Sequence, residues 1–329
     1  MLESIPLQEL LSPFSFVLKT EYRVFWGYLI ASGLLTVWVM HRQNKPIVPG
    51  IRFLFSSKLW RNPSVLLDFK LIFLNNFTWV LLAAPYFGGQ TKIAGSVAYS
   101  LKTALGSGGF ISGSTLSLSI MFTLLVFIVD DFSRFFVHRA YHKIPILWRF
   151  HAVHHSSTLM TPFTVYRIHC IEMLINAARS MIVFGTMGGL FIYFTSGQFT
   201  KLEVLGTSIF SLAFNFAGAN LRHSHIWLGF GKCEHWVMSP AQHQIHHSAA
   251  PEHFDKNFGV MIPLWDKLFN SWVSSANTQV GEIGLGHPVK QSIAGTLFGI
   301  KPQTPDAFDA GDTAPSSGHS ASSSADQLD

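Results

Sequence analysis

The stretch TLSLSIMFTLLVFIVDDFSRFFVHRAYH, residues 115–142, decides the fold. Its first part, residues 115–129, is an apolar run long enough to cross most of a bilayer, and its approach is rich in Gly and Ser. The segment entering His138 continues that run and is therefore expected to be helical. On a helix, residues i and i+4 share a face, so the imidazoles of His138 and His142 can converge on one ion. A membrane helix that ends in a metal-binding face is the reading.

Working outward, four further apolar runs occupy residues 24–40, 71–87, 171–193 and 202–218. A span needs roughly 20 apolar residues, so the short runs must tilt, extend or pair as a hairpin. Arg179 and Asn215 interrupt the last two runs and should face protein or water. Composition agrees with a lipid setting: of 329 residues, 48% are hydrophobic and only 12% are charged. Soluble domains carry about a quarter charged residues, twice what is found here. The expected fold is all-α, a multi-pass transmembrane helical bundle with a histidine-rich cap.

Charge orients the bundle. Arg42, Lys45, Arg52, Lys58, Arg61 and Lys70 follow the first run, whereas the segment after the second carries only Lys92 and Lys102. The basic loop is therefore expected on the cytoplasmic side, and counting spans places every histidine box there too. A net charge of +5 without interleaved exposed aromatics suits a membrane surface and excludes a nucleic-acid partner. Cys170 and Cys233 form no CxxC and suggest no disulfide framework. Residues 1–18 lack the basic start and clean apolar run of a cleavable signal, so insertion would rely on the first membrane helix. Residues 302–329, rich in Ser, Ala, Asp, Gly and Pro, read as a disordered tail.

The histidines are unevenly spread. His138 and His142 are followed by His151-Ala-Val-His154-His155, and His243-Gln-Ile-His246-His247 lies about ninety residues on. In HxxHH, residues i, i+3 and i+4 share a helix face, and two adjacent histidines can serve two ions. Eight imidazoles, with one or two from the intervening residues, suit two metals that keep an open position. A structural zinc site needs four ligands and usually recruits cysteine. A lone HxxxH is more often a surface or core pair, but three boxes on one side of a membrane outweigh that reading. His41, His287 and His319 are isolated and read as solvated; His235 and His253 read as structural.

Here the motifs resemble a family. Val137-His138-Arg-Ala-Tyr-His142, Trp148-Arg-Phe-His151-Ala-Val-His154-His155-Ser-Ser and Gln242-His243-Gln-Ile-His246-His247 resemble, in order, the boxes of the fatty acid hydroxylase/sterol desaturase superfamily. Asp255-Lys-Asn-Phe-Gly259 and Trp265-Asp-Lys-Leu-Phe269 are similar to that family's closing segment. The resemblance covers residues 130–272. It implies a di-iron centre and O₂-dependent hydroxylation, desaturation or ether cleavage of a lipid. It also implies His138, His142, His151, His154, His155, His243, His246 and His247 as ligands, with His223 as a ninth. Arg167-Ile-His169-Cys-Ile-Glu172 is similar to the family's R-x-H-P-x-E element, with Cys170 in place of proline. His169 and Glu172 are then expected to support the ligands, and His225 stands between a supporting and a ligating role. Residues 255–259 and 265–269 should close over the last box, Gly259 allowing a tight turn.

Domain boundaries follow: residues 1–129 are membrane helices and basic loop, and 130–275 are the catalytic domain with a membrane hairpin at 171–218. Residues 276–301 form an extension. Imidazole suits Fe, Zn, Cu and Ni alike, so two Fe ions rest on the resemblance, with Zn as a substitute in overproduced protein. An unactivated hydrocarbon offers no purchase to acid–base residues or nucleophiles, which favours oxidative metal chemistry with O₂. The chain shows no flavin fingerprint and no haem or iron–sulfur cysteines. Electrons must come from outside, from a cytochrome b5-like, ferredoxin-like or pterin donor. The setting is the bacterial inner membrane or the endoplasmic reticulum. The rivals are a histidine-rich metal transporter, a bis-histidine haem protein, which leaves six or more histidines unexplained, and a di-zinc hydrolase, which would mix in carboxylates.

Overall fold

In the computed structural model, residues 7–83, 88–197, 199–204 and 207–300 are described. The expected tail and His319 lie outside them. In chain order the helices are α1 Leu7–Leu10, α2 Trp26–Arg42, α3 Ile47–Leu54, α4 Ser57–Trp60, α5 Pro63–Thr78, α6 Gly89–Leu105, α7 Thr115–Lys143, α8 Pro145–His155, α9 Cys170–Thr195, α10 Ile209–Phe216, α11 Pro240–His246, α12 Leu264–Leu268 and α13 Ile293–Thr296. The strand content among the described residues is one two-residue pair, Glu203–Val204 with Thr207–Ser208.

Among the described residues, three helices are long and apolar enough to cross a membrane: Pro63–Leu82, Thr115–Lys143 and Cys170–Thr195. Their starts are written locally. Asn62 accepts from Ser64 N at 2.9 Å, with Pro63 at the first helical position where no N–H is needed. Ser114 accepts from Ser117 N at 3.2 Å and starts α7. Along α7, Leu116, Ile120, Leu124, Ile128, Phe132 and Phe136 are exposed at strict i+4 spacing, an outward apolar stripe that suits lipid contact.

The chain departs from the expected spans in three places. The first run forms α2, 17 residues long, whose inner face packs on the segment that carries His223. Tyr28 meets Phe216 edge-on at 5.0 Å, Val39 packs on Leu221 and Leu228, and Gln43 Nε2 donates to Trp227 O. At about 1.5 Å per residue, α2 is some 26 Å long, short of a core about 30 Å thick.

The last apolar run is not the second arm of a helical hairpin. It returns along α7 as extended chain and then as α10, only eight residues long. Extended backbone at this depth needs partners, and α7 supplies them. Ser119 Oγ accepts from Thr200 N at 2.9 Å, and Thr123 Oγ1 accepts from Leu202 N at 3.0 Å. Polar α7 positions thus replace the ladder that a helix would have made.

The partner of α9 is instead α6, which no apolar run announced. Gly185 and Gly189 of α9 open the seam: a Cβ on Gly185 would lie 2.7 Å from Ile93 Cβ, and one on Gly189 2.6 Å from Val97 Cβ. Small residues spaced by four let two membrane helices approach closely.

Above the spans, a buried ionic knot holds the cap. Arg167 Nε donates to Asp68 Oδ1 at 2.6 Å, and its Nη1 reaches Ser156 Oγ at 3.1 Å and Gln291 Oε1 at 2.8 Å. Thr164 Oγ1 donates to Asp68 Oδ2 at 2.8 Å. The stretch expected as a separate extension, 276–301, packs directly on the boxes: Gly284 N donates to His247 O at 3.0 Å, and Ile300 N to Arg149 O at 2.7 Å.

Candidate metal centre

Four elements bring nine imidazoles together. Helix α7 leaves the membrane span carrying His138 and His142 one turn apart. Helix α8 begins at Pro145 and ends in His151, His154 and His155. Helix α11 starts with Pro240 and a reciprocal cap, Ser239 with Gln242, and presents His243 and His246, with His247 at its end. The 3₁₀ turn Ala219–His223 delivers His223.

The nine form two sets. His138, His142, His151, His155 and His246 place one ring nitrogen each within 4.8 Å of one another, and so do His154, His223, His243 and His247. Each HxxHH box is shared between them. Its i, i+4 pair joins one set, His151 with His155 or His243 with His247. The i+3 residue, His154 or His246, crosses to the other. Adjacent histidines therefore serve different sets, and the sets touch: the rings of His155 and His247 stack with centroids 4.4 Å apart.

The nitrogens are arranged to receive ions. In the second set, the Nε2–Nε2 separations are 3.4 Å for His154–His223, 3.2 Å for His223–His243 and 3.1 Å for His243–His247. Ligand nitrogens about 2.1 Å from an ion lie roughly 3.0–3.4 Å apart, depending on geometry. In the first set, the Nε2 atoms of His142, His151, His155 and His246 are buried and have no hydrogen-bond partner. Orphaned buried nitrogens are costly unless something fills the space between them.

The opposite ring edges are held. His138 Nδ1 faces Phe258 O at 2.7 Å, His151 Nδ1 faces Glu172 Oε1 at 3.1 Å, His154 Nδ1 faces Arg167 O at 3.0 Å and His246 Nδ1 faces Lys256 O at 2.8 Å. An oxygen acceptor at Nδ1 fixes the N–H there and points the Nε2 lone pair inward, as metal-bound histidines require. Burial drives the pKa of His151 and His154 down to about 3. Burial, with repulsion among neighbouring imidazoles, holds His155, His246 and His247 well below the ordinary value. These rings are neutral at pH 7, the state in which imidazole binds metal.

The supporting residues divide. Glu172 is buried and holds His151. His169 faces away: its Nδ1 accepts from Ile171 N at 3.1 Å, capping α9, and its Nε2 donates to Leu297 O at 2.9 Å. His225 is exposed and belongs to neither set, because the chain turns away after His223. His253 bonds Ser248 Oγ at 2.8 Å, and His235 stacks on Trp272. His41 is exposed, while His287 is half-buried rather than solvated and lines a cavity mouth.

Sequence reasoning found Glu172 but missed the other holders, which are the backbone carbonyls of Phe258, Arg167 and Lys256. Residues 255–259 close over the first set, through the Lys256 carbonyl at His246 and the Phe258 carbonyl at His138. Asp266 fixes that loop by accepting from Phe258 N at 2.8 Å and Gly259 N at 2.7 Å. The left-handed positions here are Asp255 and Asn257, not Gly259. Glycine is needed at 259 for clearance, since a Cβ would lie 2.6 Å from Asp266 Oδ2. A short motif of polar and glycine residues downstream of the last box was the available signal.

The sets differ in access. A cavity of about 650 Å³ reaches His142, His155 and His246 between Trp148, Leu285 and Ile300. All four histidines of the second set are buried, and none lines that cavity. An accessible set is what catalysis needs, whereas a closed one suits support or storage of charge.

Glu172 gives a direct test of the holding role. Glu172→Leu is expected to weaken metal retention about 10–100-fold in chelator competition, with Glu172→Gln recovering part because its carbonyl still accepts from His151. Unchanged retention in both variants would remove Glu172 from the centre.

Residues 123–271 match the fatty acid hydroxylase family model. Among curated proteins, the chain is 25% identical over 167 residues to an alkylglycerol monooxygenase of Danio rerio, covering 50% of this chain and 33% of that protein. It is 25% identical over 175 residues to an ornithine lipid hydroxylase of Rhizobium tropici, covering 53% and 48%. It is 26% identical over 172 residues to a fatty acid hydroxylase of a Lecanicillium species, covering 49% and 44%. The matches thus span a third to a half of these relatives. No solved structure matches the chain.

Proposed function

We propose that this chain, whose residues 123–271 match the fatty acid hydroxylase family model, is a member of the fatty acid hydroxylase/sterol desaturase superfamily and carries out membrane-bound, O₂-dependent oxidation of a C–H bond of a lipid, with hydroxylation or desaturation as the outcome. The observation that carries this is the pair of all-histidine sets, one of them open to an apolar-walled cavity just above three membrane-length helices. His138, His142, His151, His155 and His246 would hold one iron, and His154, His223, His243 and His247 the other. Bound there, iron supplies the oxidising power, drawn from O₂ and two external electrons, that breaks an unactivated C–H bond. The protein's own part is to keep nine imidazoles neutral and aimed, through Glu172 and the carbonyls of Arg167, Lys256 and Phe258. Trp148, Leu285 and Ile300 would exclude water from the reacting carbon beside His142 and His155. The donor would be cytochrome b5-like, ferredoxin-like or a pterin.

Orientation follows the basic stretch. Residues 42–61 lead into α5, whose first turns are tied to the cap through Ser64 and Asp68. That stretch therefore lies on the same side as the histidines, and its positive charge supports a cytoplasmic cap. A transporter would carry its ligands through the spans, whereas these gather beyond them. Cells lacking the gene, complemented with it and grown under ¹⁸O₂, test the reading. A complement-dependent lipid carrying one ¹⁸O atom, or one new double bond, is expected. A lipid profile unchanged by the gene, together with altered cellular metal, would transfer the case to transport.

A further inference from the structure

A second cavity, about 300 Å³, lies away from the histidine sets, between α7, α9, α10 and the loop at Val260 and Met261. It follows one stripe of α7, from Thr123, Val126 and Phe127 to Asp130, Asp131 and Arg134. At about 1.5 Å per residue, Asp130 lies some 22 Å from the start of α7, in the cap-side half of a core about 30 Å thick. The charged end thus lies toward the cap side, and the apolar end, with Phe184, lies deeper toward the start of α7.

Its acids are largely satisfied. Asp130 pairs with Arg134 at 2.7 Å and Arg179 at 2.6 Å. Asp131 accepts from Met261 N at 3.0 Å, Ile262 N at 3.1 Å and Trp265 Nε1 at 3.0 Å. Arg23, whose carbonyl is anchored by Asn220 Nδ2 at 2.8 Å, makes no ion pair among the described residues. Lys201 Nζ lies 5.3 Å over the Phe184 ring. Glu21 stands exposed at the rim. Asn215 is only 8% exposed, lines the cavity and has no side-chain partner among the described residues. The Asn215 amide and the Arg23 guanidinium thus line one space, where a polar group could bond both.

We propose that this cavity binds the anionic head group, phosphate or carboxylate, of a membrane amphiphile. Arg23 and Lys201 are its cation contacts and Asn215 its hydrogen-bond contact, with the hydrocarbon lying along Val126, Phe127 and Phe184. The site rests on the membrane setting alone and stands whether or not the histidine sets perform oxidation.

The test uses the full-length, metal-loaded protein in dodecyl maltoside, with native mass spectrometry reading bound oleoyl lysophosphatidate, oleate, monoolein and inorganic phosphate. One equivalent of lysophosphatidate or oleate is expected, with monoolein at least about tenfold weaker, since a charged hydrogen bond is worth that much. Arg23→Gln and Asn215→Leu should each weaken the anionic lipid about tenfold. Metal content and elution volume show whether each variant is folded. If Arg23→Gln is not, Lys201→Gln, at an exposed position, and Ser211→Phe, which fills the cavity without changing charge, carry the test with the same expected loss. Equal binding of monoolein, or unchanged binding in the folded variants, overturns the proposal. Inorganic phosphate binding as tightly as the lipid overturns the lipid assignment in favour of a free-anion site.

Discussion

His155→Ala is expected to abolish turnover, by more than about a hundredfold, while leaving the protein in the membrane. Loss of a group that merely orients a metal ligand costs about 10–100-fold, and His155 is placed as a ligand itself. Three observations single it out. Its Nε2 is buried and orphaned, its ring lines the cavity that reaches the first set, and it stacks on His247 of the second set. Alanine there removes one of five nitrogens in the accessible set and opens the seam between the two. His41→Ala, at an exposed position on the last turn of α2, should leave turnover unchanged. Product formation and metal per chain, measured together on membranes of each variant, check this. Near-normal turnover in His155→Ala would break the assignment of the HxxHH box.

The largest effect on stability is expected at Arg167. Arg167→Ala strands the Asp68 carboxylate in the interior, where both partners are 0% exposed. Removing one member of such a buried pair costs roughly 3–5 kcal/mol. The variant also loses the Ser64, Ser156 and Gln291 contacts that join α5, the end of α8 and the C-terminal stretch. A fall of about 10 °C in apparent melting temperature in detergent is expected. Arg167→Lys should recover only part, since a lysine cannot reach several acceptors in the planar fork. Because the Arg167 carbonyl aims His154, metal retention should fall with stability. A shift under about 2 °C would mean that the knot is a consequence of the fold rather than a support.

Much of the centre was legible because helix periodicity acts on the histidines directly. HxxxH on the continuation of α7 and two HxxHH boxes specify which rings share a face, and Glu172 fell where a carboxylate would hold one. The crossing of His154 and His246 between sets was not legible, because it depends on how α8 and α11 pack. The carbonyl holders were invisible for a plainer reason: any residue at 256 or 258 supplies the same oxygen. Helix α6 escaped notice because isolated apolar residues such as Ile93 and Val97 pack on Gly185 and Gly189 of α9, and its sequence offers no apolar run. The extended return past Ser119 and Thr123 was hidden by its own hydrophobicity, which reads as a helix until the hydroxyls opposite it are seen.

The central claim is that nine histidines make two metal sites in one centre, and metal counting on anaerobically purified, iron-supplied protein tests it most directly. Two ions per chain are expected for the unaltered protein, and His223→Ala, confined to the second set, should lower the count toward one. A ratio of one or fewer in the unaltered protein, with activity intact, would contradict the account.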